Sequence, residues 1–491
     1  MTGEKFVERL LSENEIVDDG PTHKCGIVGA YYHEGQPSID PIAFAMTRLS
    51  HRGQEGIGVA VIEENGEVFA HYESGVMNDS FRNAVNAQTV KAKVVLGHDR
   101  YSTSGSALAA QPIVRGENGH SLVTVHNGNL TNPLYLSTLL PENMREELLS
   151  DTYVLHQFIC SQKGDSMEEK IKMALPQVEG AYSLILADPK NYTLYGIRDP
   201  YGFRPLYLGE LNDGSGFILT SEDYGFQGIA TKIDEVKRGE GIKIQDGRIE
   251  SFFTDPRTKE SASSSCIFEL IYFAHPASEV FGVPVAQFRR HCGMELAIQD
   301  SKEEISADVV VPVRNSGTIA GEGYALQSNL PLLSGLLTNQ RADRVFILPE
   351  KRKEALLLKF SEDRSVVEGK SLIVVDDSLV RGTTSREITK ILRGAGASGV
   401  HWRIASPPIV WPCFYGIDFQ TRKGLIAPGK NIEEIAAEIG ADSLSYLPLK
   451  KTESIAMELQ KDPDGVLFCK ACFKGGHSPI KVDRSQLLTK Y

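Results

Sequence analysis

Leu372-Ile-Val-Val-Asp-Asp-Ser-Leu-Val-Arg-Gly-Thr-Thr384 decides how the C-terminal half of this chain folds. Leu372 to Val375 is apolar and β-branched, as a strand buried on both faces of a parallel sheet must be. The paired carboxylates Asp376 and Asp377 follow at its carboxyl end, where open α/β sheets bind ligands. Thr384 and Glu387 have capping-box spacing, and Ile388, Ile391 and Leu392 give the apolar stripe of a helix running to Gly394 and Gly396. The stretch therefore reads as strand, loop and helix, with Ser378, Arg381, Gly382, Thr383 and Thr384 at the helix N-terminus. Outward-pointing N–H groups, the positive end of the helix dipole and hydroxyls suit a monophosphate there. Two hard oxygen anions beside such a cradle suit sugar hydroxyls, Mg²⁺ or both.

Working outward, Asp308 to Val313 is a second buried strand, followed by Arg314-Asn-Ser-Gly317 and a helical run through Gln327. Pro331 to Leu337 and Val400 to Ala405 supply further expected strands of the open parallel sheet. Upstream, Ser261 to Ser265 is a serine-rich linker, and before it the pattern changes to hairpins. Asn65-Gly66, Asp246-Gly247 and the stretch from Pro189 to Asn191 mark turns, while Asp151 to Ser161 and Ser166 to Leu175 have helical spacing. The fold class is an α+β layered N-terminal domain followed by an α/β domain.

Length and composition bound the rest. A chain of 491 residues, 41% hydrophobic and 24% charged, fits two globular domains. A formal charge of −12 leaves no basic footprint for nucleic acid. No apolar run approaches the about 20 residues of a membrane helix. Residues 1–24 carry Glu4, Glu8, Glu13, Glu15, Asp18 and Asp19, unlike a signal peptide. Seven cysteines, an odd count at low density, point to a reducing, cytoplasmic setting and to thiol or metal chemistry.

The N-terminal half has four polar clusters at strand ends and turns: His51-Arg-Gly-Gln-Glu55, Gly97-His-Asp-Arg-Tyr-Ser-Thr103, His126-Asn-Gly-Asn129 and Ser150-Asp-Thr152. In this order, downstream of Cys25-Gly, they resemble the N-terminal-nucleophile glutaminase domain of the class II glutamine amidotransferases. The resemblance implies that Cys25, freed by removal of the 1–24 leader, is the nucleophile. A thiol is an intrinsically good nucleophile, and its own α-amine, with a pKa of about 8, relays the proton. It further implies that Asn127 and Gly128 form the oxyanion hole and that Arg100 and Asp151 pair with the charged ends of glutamine, with Arg52 and Thr103 in the same glutamine-binding motifs.

The organising loop resembles that of the type I phosphoribosyltransferases, which implies 5-phosphoribosyl 1-diphosphate as ligand and Ser316, Asp376 and Asp377 as Mg²⁺ ligands. Glutaminase followed by phosphoribosyltransferase is the order of the amidophosphoribosyltransferases. Arg198-Asp-Pro-Tyr-Gly-Phe-Arg-Pro205, Phe268-Glu-Leu-Ile-Tyr-Phe273, Ser406-Pro-Pro408 and Phe414-Tyr-Gly-Ile-Asp418 resemble further stretches of that family. The expected divisions are 1–24 as leader, 25–255 as glutaminase, 262–430 as transferase and 431–491 as a helical tail with metal-binding cysteines. The resemblance implies glutamine and phosphoribosyl diphosphate as substrates, purine nucleotides as regulators and a homo-oligomer, dimer or tetramer. Cys469-x-x-Cys472 has chelate spacing, compatible with a [4Fe–4S] cluster, Zn²⁺ or unligated thiols. Resemblance to the iron–sulfur subgroup implies the cluster, on Cys266, Cys413, Cys469 and Cys472; Cys160 and Cys292 are expected to pack as hydrophobes.

Departures from the family pattern gather on the phosphate side. Pro-Asp-Ser-Gly is Arg314-Asn-Ser-Gly317 here, and Tyr-Phe-Ala-Arg-Pro-Asp-Ser is Tyr272-Phe-Ala-His-Pro-Ala-Ser278. In the lid, Arg341, Val345, Lys351 and Glu354 replace Tyr, Thr, Gln and Arg. A carboxylate at Glu354 facing an anionic substrate is repulsive unless Arg341, Lys351 or Arg352 compensates. Two rival readings follow: a paralogue delivering ammonia to another acceptor, and a non-enzymatic nucleotide or redox sensor.

Overall fold

The computed structural model describes residues 25–100, 110–115, 122–145, 150–302, 305–338, 360–417, 422–461, 465–475, 479–480 and 482–483. The leader, Thr103 and the lid positions Arg341, Val345, Lys351, Arg352 and Glu354 lie outside these residues.

The chain enters the N-terminal half through β1 (Gly26–Gln36), whose first seven residues are buried, then α1 (Asp40–Leu49), β2 (Gly56–Glu63), β3 (Val68–Ser74) and β4 (Ala92–Arg100). With Tyr207–Leu211, Gly216–Thr220 and Ala230–Glu235, these four strands make a seven-stranded antiparallel sheet, with β1 and β4 side by side at its centre. The second, six-stranded sheet is built on β5 (Leu122–Leu130), β6 (Gly180–Asp188) and β7 (Thr193–Arg198), with α2 (Asp151–Ser161) on its outer side. Ile27, Leu96, Val125, Ile185 and Leu219 pack between the sheets, so the strands read as near-continuous apolar runs. The hairpin between β2 and β3 turns at Gly66, φ +84°, as Asn65-Gly66 predicts. α2 begins and ends where its spacing places it, because Ser150 Oγ accepts the N–H of Tyr153 at 3.1 Å.

In the C-terminal half, β8 (Val309–Pro312) leads into α3 (Thr318–Ser328); β9 (Ser371–Asp376), α4 (Thr383–Gly394) and β10 (Gly399–Ile404) follow. The strands form one parallel sheet in the order β8, β9, β10, β11, where β11 (Ser443–Tyr446) follows α5 (Ile432–Ile439).

Three expectations are corrected. Pro331 to Leu337 adds no strand to this sheet: only Leu332 bridges to Val310, and Leu336–Thr338 pairs antiparallel with Phe360–Glu362. The sheet does not end before residue 430, since β11 lies in the stretch expected to be a helical tail. Its four residues, Ser-Leu-Ser-Tyr, are half polar because an edge strand has less to bury. The Thr384–Glu387 box does not start α4, which begins at Thr383 on a left-handed Gly382 N-cap with no side-chain cap.

Candidate functional site: a thiol centre and a phosphate loop

Cys25 sits immediately before β1 and is partly exposed. The neighbouring β4 pairs Asp99 with Gly26 and His98 with Ile27, which carries Arg100 to the thiol end of the sheet. Burial lowers the Arg100 pKa, while Cys25 and Glu55 pull it back up, so the guanidinium lies within reach of the thiol's charge. Asn127 and Gly128 come from β5 in the facing sheet. Gly128 holds φ +156°, and a β-carbon there would lie 2.0 Å from the Ala181 carbonyl oxygen, so only glycine fits. Asn127 is 2% exposed, and among the described residues its Nδ2 has no hydrogen-bond partner. A buried amide donor without an acceptor is costly, and it is what a developing oxyanion would satisfy.

Asp151 opens α2, with Oδ2 accepting the N–H of Leu130 at 3.0 Å and Oδ1 the N–H of Thr152 at 2.8 Å. It is thereby held against the oxyanion strand. Gln111 Oε1 accepts the N–H of His126 at 2.7 Å, and His126 Nδ1 meets Thr152 Oγ1 at 3.0 Å. Burial lowers the His126 pKa against the pull of Asp151.

Arg52 is fully buried, and all of its nitrogens are committed within the protein. Nε donates to the Cys25 carbonyl at 3.2 Å, Nη1 to Glu222, and Nη2 to both Glu269 oxygens at 2.9 Å. Within the protein Arg52 therefore contacts the backbone of the nucleophile. Glu222 also takes His51 Nε2 at 2.9 Å and Ser278 Oγ at 2.6 Å. Burial raises its pKa, but His51 and Arg52 outweigh it and hold the carboxylate well below its ordinary value. Sequence reading missed Glu222, Glu269 and Arg204; for Glu269 and Arg204 the available signal was a charge among aromatic residues, since buried charges are paired.

At the second centre the register of β8 on β9 sets Pro312 beside Val375, so the loops after the two strands meet. Ser316 Oγ donates to Asp376 Oδ1 at 2.7 Å, and Ser378 Oγ to Asp377 Oδ2 at 2.7 Å. A β-carbon on Gly317 would lie 2.1 Å from the Val375 carbonyl oxygen, which explains the glycine after Ser316. Asp376 and Asp377 are 7% and 5% exposed. Burial first, then the charge of Asp377, pushes the Asp376 pKa well up. Gly382, at φ +79°, packs on Ile426 and turns the chain into α4, placing Arg381, Thr383 and Thr384, each partly exposed, around the helix N-terminus. Arg289, buried, donates to the carbonyls of Leu270 at 2.9 Å and Ala274 at 2.8 Å and feels the charge of Asp377. The departing residue His275 stacks on Tyr224 at 3.6 Å, and Asn315 takes φ +71°.

The four cysteines also converge. Ser265–Cys266 pairs in parallel with Phe468–Cys469, setting Cys266 opposite Cys469. The Cys472 carbonyl accepts the N–H groups of Val410 at 2.9 Å and Trp411 at 3.0 Å, which carries Cys413 to the same place. Burial raises all four thiol pKa values, that of Cys266 to about 12, and the charges of Cys413, Cys469 and Cys266 each push Cys472 further up. Among the described residues, no group of three or more His, Cys, Asp or Glu is disposed to hold a metal ion. Cys292 is 1% exposed in the core and Cys160 packs beside a second core cluster, both as expected.

A thiol-headed antiparallel sandwich joined to a parallel sheet with a phosphate loop defines a glutamine amidotransferase fused to a phosphoribosyltransferase. Residues 98–227 match the family profile described as glutamine amidotransferase domain. The amidophosphoribosyltransferase of Pyrococcus horikoshii is 38% identical over 431 residues, covering 86% of this chain and 91% of its own. That of Bacillus subtilis is 37% identical over 477 residues, covering 96% and 97%. The solved glutamine phosphoribosylpyrophosphate amidotransferase from B. subtilis, complexed with ADP and GMP, superposes with a TM-score of 0.83 at 36% identity, over 94% of this chain and 99% of that one. The chain belongs to the amidophosphoribosyltransferase family. It is an enzyme of the first step of purine biosynthesis, both a glutamine amidotransferase and a pentosyltransferase.

Proposed function

We propose that glutamine is hydrolysed through a thioester on Cys25, and that the released ammonia attacks C1 of 5-phosphoribosyl 1-diphosphate to give 5-phosphoribosylamine, diphosphate and glutamate. The observation that carries this is the buried Nδ2 of Asn127, unpartnered among the described residues, beside Gly128 and facing the sheet that begins at Cys25. In the first half-reaction the Cys25 sulfur adds to the amide carbon, and Asn127 Nδ2 and the Gly128 N–H receive the oxyanion. The α-amine freed by removal of residues 1–24 takes the thiol proton and returns it to the departing ammonia; water then releases glutamate. Arg100 meets the α-carboxylate of glutamine and Asp151 its α-ammonium, with Thr103 in the same glutamine-binding motif.

In the second half-reaction Ser378, Arg381, Gly382, Thr383 and Thr384 hold the 5-phosphate at the N-terminus of α4. Ser316, Asp376 and Asp377 would hold Mg²⁺. The fit rests on two adjacent buried carboxylates, burial first and then the Asp377 charge raising the Asp376 pKa, a hard-oxygen donor set with charge to be neutralised. When bound, the ion supplies charge neutralisation for the leaving diphosphate.

We further propose that Cys266, Cys413, Cys469 and Cys472 hold a [4Fe–4S] cluster with a structural role. Support comes from the convergence of the four thiols, three of them buried and Cys469 partly so, with burial pushing each pKa up. The proposed divisions are 25–255, 262–430 and 431–491, with β11 of the last stretch completing the transferase sheet. No helix among the described residues is long and apolar enough to cross a membrane, and free thiols throughout favour the cytoplasm. Purine nucleotides as regulators are supported by the relative solved with ADP and GMP; a dimer or tetramer is to be checked by light scattering. The direct test is product formation from phosphoribosyl diphosphate with glutamine or ammonia as nitrogen source.

A further inference from the structure

Arg204 stands where the two halves of the chain touch. It follows β7, is 1% exposed, and its own carbonyl accepts from Ser183 Oγ at 3.0 Å and Arg198 Nε at 2.8 Å. From this fixed base its guanidinium reaches in two directions. Nη1 donates to Glu269 Oε1 at 2.8 Å; Nη2 donates to the carbonyls of Tyr415 at 3.1 Å and Gly416 at 2.8 Å.

The first branch continues to the nucleophile, because Glu269 is gripped by Arg52 Nη2 and Arg52 Nε donates to the Cys25 carbonyl at 3.2 Å. The second ends on the oxyanion strand. A β-carbon on Gly416 would lie 3.0 Å from Arg204 Nη2 and 3.2 Å from the Gly128 carbonyl carbon, and Asn129 Nδ2 donates to the Phe414 carbonyl at 2.9 Å. One planar cation therefore braces both the backbone of Cys25 and the strand that carries Asn127 and Gly128. Arg52, Glu269 and Arg204 are each no more than 1% exposed, so these contacts are neither screened nor replaced by solvent.

We infer that Arg204 is a positioning residue of glutamine hydrolysis, holding nucleophile and oxyanion donors in register by bracing both against the C-terminal half. The inference rests on the reading of Cys25 as nucleophile and of Asn127 and Gly128 as oxyanion donors. Arg204 touches neither substrate nor reacting atoms. Oxyanion donors act within a few tenths of an ångström, whereas Arg100 and Asp151 would bind glutamine without this brace, so its loss falls on kcat rather than KM. Lysine keeps the charge but lacks the fork that reaches Glu269 and two carbonyls together.

Glutamine hydrolysis and ammonia-dependent synthesis are measured separately in the full-length enzyme, with Cys25→Ser as reference. Arg204→Lys should lower kcat for hydrolysis at least about tenfold while KM for glutamine and ammonia-dependent synthesis stay within about twofold. Glu269→Gln, which keeps the shape of the carboxylate, should give the same split and serves if Arg204→Lys does not fold. Parallel loss of both activities with a lowered melting temperature, or unchanged hydrolysis in a folded variant, overturns the inference. Hydrolysis surviving in Cys25→Ser would instead refute the assignment of the nucleophile.

Discussion

Asn129 of the oxyanion strand donates from Nδ2 to the backbone carbonyl of Phe414, 285 positions along the chain, at 2.9 Å. The residue next to the oxyanion pair is thus tied to the segment that leaves Cys413, and the glutaminase is not built from the N-terminal half alone. The same segment holds Gly416, at φ +96°, against Gly128. The positive φ requires glycine at 416, while at 128 the Ala181 carbonyl oxygen, 2.0 Å from where a β-carbon would lie, excludes any other residue.

Removing the oxyanion donor should show in one half-reaction only. Asn127→Ala is expected to lower kcat for glutamine hydrolysis by about 10² to 10³, roughly 3 to 4 kcal/mol of transition-state stabilisation. Ammonia-dependent synthesis should be retained. Steady-state kinetics with each nitrogen source checks this, and a change confined to KM for glutamine would move Asn127 into ground-state binding.

Asp376→Asn tests the other centre. Losing one of two buried carboxylates should depress synthesis at least about 100-fold with either nitrogen source, while glutamine hydrolysis measured alone continues. Synthesis at the original rate in the variant would remove Asp376 from the phosphate side.

His98 sets an acid limit on stability. Its ring is buried, with neither nitrogen partnered among the described residues; burial above all, then the charges of Arg100 and His126, depresses its pKa to about 3. In the unfolded chain the ring titrates near its ordinary value of about 6.5, so the folded state binds the proton more weakly. The resulting stability is fully present above pH 6.5 or so and is lost as the pH falls toward 3, amounting to about 2 kcal/mol by pH 5. The melting temperature should drop between pH 7.5 and pH 5, and less steeply in His98→Gln. Equal drops in both proteins would assign the acid loss to other groups.

How much could be read beforehand differs between kinds of feature. The β-branched run at Leu372 and the Ser150 cap are local signals, and β9 and α2 stand where those signals place them. The start of α4 was not local: Gly382 is held left-handed against Ile426, from the segment after β10, and this contact overrides the Thr384–Glu387 spacing. Pro331 to Leu337 reads as a strand by hydrophobicity, yet Leu336–Thr338 turns away to pair with Phe360–Glu362. The ladder from Arg204 through Glu269 to Arg52 was least legible, because its members stand 65 and 217 positions apart. Composition shows that such charges must find partners but not which ones.

Metal analysis decides what the four converging cysteines hold. Anaerobically purified protein should carry iron and acid-labile sulfide, and their loss should lower the melting temperature more than it changes initial rates, because the ligands tie segments far apart in the chain. One equivalent of zinc without iron would replace the cluster with a single tetrahedral ion.

The measurement that bears most directly on the account is a paired synthesis assay. Anaerobic protein is incubated with Mg²⁺ and phosphoribosyl diphosphate, once with glutamine and once with ammonia, for the wild type and for Cys25→Ser. Wild type should consume phosphoribosyl diphosphate with both nitrogen sources, and Cys25→Ser with ammonia alone. Failure of the wild type to consume it even with ammonia would contradict the account and leave a glutaminase serving another acceptor.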